Sequence, residues 1–229
     1  MDVYQHWSGV RDKHKNLVIG LGNFDGMHIG HQELISQLVC LAQEVKCTPA
    51  VMTFDPHPLA VLRPDECPPI LLTKESKRRI IAKLGAQVLI TIPFSQGFAC
   101  MTPEEFAVKI LHQELGVKGV VVGYNYTFGY MGRGTAALMK KMSNFLGFQI
   151  VIIPPVKVQG LTVSSTLIRG LLESGEVKKA AKYLGFYPFV EGTVVEEKRG
   201  GDLFCPIVSL KIDSEILVPA VGVYLARVF

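Results

Sequence analysis

Short apolar runs alternate along most of the chain with segments whose apolar residues recur every three or four positions. The runs are typical of buried strands, and the recurring positions are typical of one face of a helix. This alternation predicts a doubly wound α/β fold, in which helical crossovers join the strands of one parallel sheet. We expect strands at 17–21, 50–54, 87–92, 119–123 and 149–153, and helices at 29–46, 74–84, 103–115 and 135–146.

The pattern changes near Tyr187, after which apolar and polar residues alternate as they do in strands. We expect strands at 190–196, 207–212 and 221–228 and no helix. The predicted division is a domain of residues 1–185 followed by a short β segment of residues 186–229. Because this segment is too short for a core of its own, we expect it to pack on the first domain or on another chain.

Composition narrows the classes of partner. The 229 residues carry a net charge of only +4, and the short basic run Lys77–Arg79 is interpreted as a solvated helix face, so we expect no nucleic-acid partner. No apolar run reaches the ~20 residues that cross a bilayer, so we expect no membrane association. The first residues lack a signal peptide's pattern, and five scattered cysteines are typical of reduced thiols, which together predict a cytoplasmic protein. A homo-oligomer is compatible with the sequence.

Two histidines follow the first predicted strand and a glycine-rich turn, Gly22-Asn-Phe-Asp-Gly26. His28 and His31 then stand at the start of a predicted helix, three residues apart. Free backbone N–H groups and the helix dipole favour anions at such a start, and side chains at this spacing can face one bound group. The order of strand, glycines, histidines and helix predicts a polyphosphate site.

A second stretch, Thr53-Phe-Asp-Pro-His-Pro58, follows the second predicted strand. Its prolines make a rigid turn that can hold Asp55 and His57 in place. The plain alternative is a turn that only ends a strand, with Asp55 bonded to nearby backbone. In a parallel sheet this turn faces the histidine loop, so both the ligand role and the plain role stay open.

A third stretch, Gly123 to Gly129, follows the fourth predicted strand. Its aromatic residues can line a pocket for a flat ring, with Asn125 reading a polar edge. The alternative is a loop that packs on the core, which we favour for Tyr126 and Tyr130 individually.

A fourth stretch, Ser164-Ser-Thr-Leu-Ile-Arg169, places hydroxyl groups at a helix start and an arginine one turn later. These groups form a second predicted anion cradle. The alternative is a simple N-cap with Arg169 on the surface.

The four stretches follow one another as G-N-F-D-G-x-H-x-G-H, T-F-D-P-H-P, V-V-G-x-N-Y-x-F-G and S-S-T-x-I-R. In this order they resemble the bacterial FAD synthetases, which are bifunctional riboflavin kinases and FMN adenylyltransferases, and in particular their N-terminal adenylyltransferase domain. The resemblance runs from about Gly20 to about Gly185. It implies the Rossmann-like fold of the H-x-G-H nucleotidylyltransferases.

The resemblance also implies roles for individual residues. His28, His31, Ser164 and Arg169 would be catalytic. Further ATP contacts would come from Gly22, Asn23, Phe24, Asp25, Gly30, Ser165 and Thr166. Flavin contacts would come from Asp55, Pro56, His57, Pro58, Asn125 and Phe128, although many relatives carry Asp in place of Asn125. Mg²⁺ would enter with ATP, and no residue is assigned as its direct ligand.

The resemblance weakens in the β segment. Gly192–Val195, Lys198–Gly201 and Pro219–Tyr224 are similar to parts of the family's riboflavin kinase barrel. Between them the kinase motif G-F-P-T-A-N is replaced by Leu203-Phe-Cys-Pro-Ile-Val-Ser209, without the threonine and asparagine that serve Mg-ATP. The sequence also stops before the rest of the barrel, so we expect no riboflavin kinase activity.

The implied reaction is FMN + ATP giving FAD and pyrophosphate. Two alternatives stay open at this point. One is a nucleotidylyltransferase for another phosphate acceptor, against which the second and third stretches argue. The other is a catalytically silent regulator that binds flavin or nucleotide.

Overall fold

The structure is a computed structural model that describes residues 1–199 and 206–228. Its strands are β1 (Asp2–Tyr4), β2 (Leu17–Leu21), β3 (Thr48–Asp55), β4 (Val88–Pro93), β5 (Gly119–Gly123), β6 (Thr127–Phe128), β7 (Gly134–Thr135), β8 (Gln149–Ile153), β9 (Lys157–Val158), β10 (Leu161–Thr162), β11 (Thr193–Arg199) and β12 (Pro206–Lys211). Its α-helices are α1 (Val10–Lys13), α2 (Ile29–Glu44), α3 (Pro58–Leu62), α4 (Lys74–Lys83), α5 (Gln96–Ala99), α6 (Pro103–Glu105), α7 (Ala136–Leu146), α8 (Ser165–Glu173) and α9 (Val177–Leu184).

Six parallel strands form the central sheet, in the order β1-β4-β3-β2-β5-β8. The doubly wound α/β fold is therefore confirmed, and all five predicted strands are present with end shifts of at most two residues. All residues of β2 are buried, because separate apolar clusters cover the two faces of the sheet. The chain order reverses between β2 and β5, and ligands of such sheets bind at the carboxyl ends of the strands beside that point.

The predicted helices begin close to where the sequence places them. Thr102 forms a capping box with Glu105, and Pro103 occupies the first helical position of α6. This helix continues as a π-helix over Phe106–Glu114, which the sequence pattern does not reveal. Gly116 follows with a φ of 58°, as expected for a residue just past a helix end.

Several short elements were not predicted. β1 has three residues and pairs with β4 at the edge of the sheet. Helix α9 buries Ala180, Tyr183 and Leu184 in a third apolar cluster, which it shares with α8. Such short elements carry little periodicity, and their partners in space stabilise them.

The β segment contains the first two of its three predicted strands, which pair as the antiparallel hairpin β11–β12. The strand predicted at 221–228 is wrong, because this stretch has no partner among the described residues and leaves Val221, Val223 and Leu225 exposed. An alternating pattern alone does not form a strand without a neighbour for its backbone groups. Gly200 and Gly201, which end the second of the three kinase-like stretches, lie outside the described residues, as do Leu203–Cys205 of the segment that replaces the kinase motif.

The β segment contacts the first domain through its backbone. The N–H of Ile70 donates to Glu215 O at 2.8 Å, and the N–H of Leu217 donates to Ile70 O at 2.9 Å. A third bond joins the N–H of Ala220 to Leu172 O at 2.9 Å. This is one of the two arrangements expected from the sequence, whereas the domain boundary after residue 185 stays a prediction.

Candidate active site

The histidine motif lies at the carboxyl end of β2, directly beside the reversal point of the sheet. The turn before it includes a 3₁₀ turn, Asp25–Met27. Phe24 and Met27 adopt φ values of 53° and 42°, which are unusual for residues other than glycine. Both side chains are fully buried, so packing holds the turn in a conformation that its backbone alone would avoid.

His28 and His31 stack their rings 3.6 Å apart with planes inclined by 13°. His28 is the N-cap of α2, and its Nδ1 accepts a hydrogen bond from the backbone N–H of His31 at 3.3 Å. Because Nδ1 accepts, the neutral His28 ring carries its proton on Nε2. The Nε2–H group is therefore a donor available to a ligand.

Burial lowers the pKa of His28 to about 4. Burial, followed by the charges of His28 and Lys77, also lowers the pKa of His31 well below its ordinary value. Nδ1 of His31 is buried and has no hydrogen-bond partner within residues 1–199 and 206–228. Such an atom is costly unless a ligand or water satisfies it, so this pair is prepared for a polar guest.

Two glycines of the motif allow aromatic rings to pack directly against the backbone. A Cβ atom at Gly30 would lie 3.2 Å from the His28 ring, and one at Gly22 would lie 3.2 Å from the Phe24 ring. Each distance is shorter than an ordinary carbon contact. These two glycines therefore leave room for the rings that shape the site.

Asp25 connects its own turn to the 69–71 segment and to helix α8. Its Oδ1 accepts a hydrogen bond from the N–H of Leu71 at 2.9 Å, and its Oδ2 accepts one from Nη2 of Arg169 at 2.5 Å. Nε of Arg169 donates to Pro69 O at 2.8 Å. The Arg169 side chain is only 11% exposed, so the surface position considered as an alternative is excluded.

The start of α8 contacts the same turn. Ser164 caps the helix by accepting from the N–H of Leu167 at 3.1 Å, as the plain alternative predicts. The hydroxyl of Ser165 donates to Asp25 O at 2.9 Å, whereas Thr166 is exposed. The first and fourth predicted stretches are thus brought together around Asp25.

The second predicted stretch faces this turn from the end of β3. His57 caps α3 by accepting from the N–H of Leu59 at 3.2 Å, and its Nε2 lies 3.4 Å from Nδ2 of Asn23. Asp55 pairs with Lys74 at 2.7 Å, and the Asp55–Pro56 peptide bond is cis. Burial is the main cause that lowers the pKa of His57.

A cleft of about 630 Å³ opens beside His57. Its walls are mainly apolar and come from β3, β4, the 56–70 segment and α4, with Ser214 and Glu215 of the β segment at one side. The predicted site residues among its lining are Asn23, Asp25, Asp55, Pro56, His57 and Pro58.

The third predicted stretch does not line this cleft. Phe128 is only 7% exposed, and its ring packs on Phe106 and stacks on Tyr126 with centroids 5.6 Å apart. Asn125 is exposed. The packing alternative therefore holds for Tyr126, while Tyr130 is 41% exposed and contacts Arg133 by a cation–π interaction.

The interpretation of Lys77–Arg79 as a solvated face is wrong for Lys77. Arg78 and Arg79 are exposed and pair with Glu75. Lys77 instead lines the cleft, and its Nζ donates to Asn23 O at 3.1 Å. The signal that could have found it is the spacing of four residues to Ile81, which places both side chains on the buried face of α4.

No group of three or more His, Cys, Asp or Glu side chains that could hold a metal occurs within the described part of the chain. The two carboxylates of the predicted site, Asp25 and Asp55, are engaged by Arg169 and Lys74. None of the helices described here is both long and apolar enough to cross a membrane.

Comparison with known proteins extends what the geometry shows. The family model described as FAD synthetase matches residues 10–167, which include the histidine motif, the His57 turn and the start of α8. This chain belongs to the FAD synthetase family. The match covers the whole central sheet except β1, together with every predicted ATP contact except Arg169.

Curated members of the FAD synthetase family align with nearly the whole chain. The bifunctional riboflavin kinase/FMN adenylyltransferase of Bacillus subtilis is 34% identical over 222 residues, which are 95% of this chain and 69% of that protein. The protein of the same name from Listeria monocytogenes is 33% identical over 214 residues, 93% of this chain and 68% of that protein. A crystal structure named as a macrolide-efflux protein from Streptococcus pneumoniae superposes with a TM-score of 0.77 at 31% identity, covering 90% of this chain and 67% of that one.

Proposed function

We propose that this chain is an FMN adenylyltransferase, which transfers AMP from ATP to the phosphate of FMN and releases pyrophosphate. The observation that carries the proposal is the stacked His28–His31 pair at the start of α2, with a buried and unsatisfied Nδ1 on His31. Membership of the FAD synthetase family supports the same reaction.

The chemistry requires positioning more than proton transfer. A phosphate oxygen of FMN, already ionised at neutral pH, attacks the α-phosphorus of ATP. The bond from that phosphorus to the bridging oxygen of the β-phosphate breaks, and pyrophosphate leaves with the electron pair. The protein's part is therefore to align the two phosphates and to stabilise the charge that develops on their oxygens.

His28 and His31 are proposed to donate hydrogen bonds to oxygens of the reacting phosphate. Both rings are neutral near pH 7, because burial lowers the pKa of each. A neutral ring still offers one N–H donor, and His28 offers Nε2–H because its Nδ1 is occupied. Donors held rigidly by stacking and capping need little rearrangement as the charge develops.

The start of α8 is proposed to hold the departing pyrophosphate. Ser164 and Thr166 offer hydroxyls, and the free N–H groups of the first helical turn favour an anion. Asp25 and Pro69 already engage Nη2 and Nε of Arg169, so this residue would act through its remaining donors and by positioning the helix. Gly22, Asn23, Phe24, Gly30 and Ser165 would complete the nucleotide side.

Mg²⁺ is proposed to enter as a part of the ATP substrate. Because Asp25 and Asp55 are engaged by cations, phosphate oxygens and water would supply most of its ligands, an arrangement that Mg²⁺ accepts readily. The bound ion would neutralise phosphate charge. Removal of Mg²⁺ with excess EDTA should abolish FAD formation, and added MgCl₂ should restore it.

The cleft beside His57 is proposed to hold FMN. Asp55, Pro56, His57 and Pro58 form one wall, and the rigid turn presents them to a flat ring. Asn125 is exposed but does not line this cleft, so its flavin contact is proposed from the family resemblance alone, and Phe128 is proposed to support the 123–129 loop from the core.

We further propose that the chain does not phosphorylate riboflavin, because Leu203–Ser209 lacks the threonine and asparagine of the kinase motif.

We place the reaction in the cytoplasm, which supplies ATP and keeps thiols reduced. The four described cysteines, Cys40, Cys47, Cys67 and Cys100, are free, in keeping with that placement. Nucleic acid is not among the proposed partners.

One chromatographic assay tests the proposal. Purified protein, Mg²⁺ and ATP are incubated with FMN in one reaction and with riboflavin in the other. FAD from FMN, with no FMN or FAD from riboflavin, is expected. Flavin phosphate from riboflavin would overturn the statement about the kinase, and binding of FMN and ATP without any product would favour the silent regulator.

A further inference from the structure

Most of the charged side chains around the cleft form ion pairs. Among the described residues, Arg169 pairs with Asp25 and Lys74 pairs with Asp55. Glu75, a further carboxylate of the lining, pairs with Arg78 and Arg79. No described carboxylate forms an ion pair with Lys77, although Glu215 also lines the cleft. Against the effect of burial, the charges of Asp25 and Asp55 raise the pKa of Lys77, but within the described residues neither carboxylate forms a direct ion pair with its ammonium.

The position of Lys77 is set by the fold. Helix α4 packs on the 3₁₀ turn Asp25–Met27, and the Lys77 ammonium donates to Asn23 O at 3.1 Å, directly before that turn. An ammonium has three donors, so this bond leaves two for a ligand. Nearby, Nε2 of His57 lies 3.4 Å from Nδ2 of Asn23.

The ammonium acts electrostatically on both sides of the site. Its charge is among the causes that lower the pKa of His31, on the nucleotide side, and of His57, on the cleft side. Burial also lowers the pKa of Lys77 itself. A partly buried cation is stabilised by a bound anion, and the phosphate of an acceptor flavin would supply one.

We propose that Lys77 binds the phosphate of FMN, and so holds the attacking group next to the nucleotide bound at His28 and His31. This inference rests on the proposed function. It assigns to Lys77 the discrimination between phosphorylated and unphosphorylated flavin, because riboflavin has no anion to offer. A neutral side chain of the same length would keep the packing of α4 and lose only the charge and its donors.

The test compares the dissociation constants of FMN and riboflavin, measured by flavin fluorescence, for the wild type, Lys77→Met and Lys83→Met. Lys83 is an exposed lysine on the same helix, so its replacement removes the same charge without touching the cleft. Lys77→Met is expected to weaken FMN binding by about 10- to 100-fold, the scale of a charge-assisted hydrogen bond. Riboflavin binding and ATP binding should stay close to the wild-type values.

Other outcomes overturn the proposal. Unchanged FMN binding shows that Lys77 does not touch the phosphate, equal weakening of FMN and riboflavin indicates a structural role, and weakened ATP binding places Lys77 on the nucleotide side. Failure of the wild type to bind FMN also overturns it. If Lys77→Met does not fold, Lys77→Arg and Lys77→Gln are compared instead, and only the arginine variant should keep the preference for FMN.

The proposed function is read out separately as FAD formation by the wild type. If FAD forms and Lys77→Met binds FMN normally, only the inference about Lys77 fails. If FAD does not form but Lys77→Met loses FMN selectively, the binding role stands and the proposed function fails.

Discussion

The helices α2 and α8 both contact the turn Asp25–Met27 at the candidate site, and their starts differ in how their polar groups are satisfied. At the start of α2, Nδ1 of His31 is buried without a partner among the described residues. At the start of α8, Ser165 and Arg169 are bonded to Asp25. The start of α2 leaves a ring nitrogen without a partner in this part of the chain. The start of α8 uses Ser165 and Arg169 to hold the turn, and leaves Thr166 and the free N–H groups of its first turn for the proposed anion. Residues of one motif can therefore divide into binding and structural roles.

The largest expected effect is a loss of stability when the ion pair of Arg169 at α8 is removed. Arg169→Ala should lower the free energy of unfolding by about 3–5 kcal/mol, because it leaves the Asp25 carboxylate buried without its cation. Urea unfolding followed by circular dichroism measures this loss. Arg79→Ala, which removes an exposed pair with Glu75, is the control and should cost about 0–1 kcal/mol. Equal small losses would show that Asp25 and Arg169 do not support the fold.

The next largest effect is a loss of activity when a histidine at the start of α2 is removed. His28→Ala or His31→Ala should lower kcat for FAD formation by about 100-fold or more, the scale of losing one preorganised donor. The same variants should unfold at higher urea concentrations than Arg169→Ala. His112→Ala, at an exposed position, should retain wild-type turnover. Near-normal turnover by both motif variants would contradict the proposed mechanism.

Acidification should lower the stability of the protein through His28, because burial lowers the pKa of this residue to about 4. Below about pH 6.5 the unfolded chain binds a proton at His28 that the native protein does not bind until about pH 4. Stability is therefore lost as the pH falls through this window, by at most about 3 kcal/mol from this residue. Unfolding at pH 7.5 and pH 4.5 measures the loss, which His28→Gln should reduce. Identical pH dependence in the wild type and His28→Gln would contradict the burial argument.

The smallest effect separates neighbouring hydroxyls at the start of α8. Ser165→Ala should lower the free energy of unfolding by about 1 kcal/mol, because it removes the bond to Asp25 O. Thr166→Ala should leave stability unchanged, since Thr166 is exposed, and should raise KM for ATP if its hydroxyl contacts the nucleotide. The two variants, measured side by side by thermal unfolding and by kinetics, distinguish support of the turn from contact with ATP. Equal stability losses would contradict this division.

Strands were predictable from the sequence wherever a continuous apolar run is buried on both faces, as in β2 and β5. The capping box of Thr102 was predictable for a similar reason, because the interaction is local. The strand expected at 221–228 failed because a strand depends on a neighbour that the pattern does not contain. The site shows the same difference between local and distant interactions. The order of the motifs was enough to predict His28 and His31. The ion pair between Asp25 and Arg169 was not predictable, because it joins residues that are distant in sequence.

The sequence by itself determined the family, the doubly wound sheet and the motif histidines, because hydrophobic periodicity and motif spacing are local properties of the chain. Only the tertiary structure decided which polar groups are already satisfied. It engages Arg169 with Asp25, buries Phe128 in the core and turns Lys77 into the cleft. Burial and pairing depend on which segments meet in space, and that depends on the packing of the whole chain.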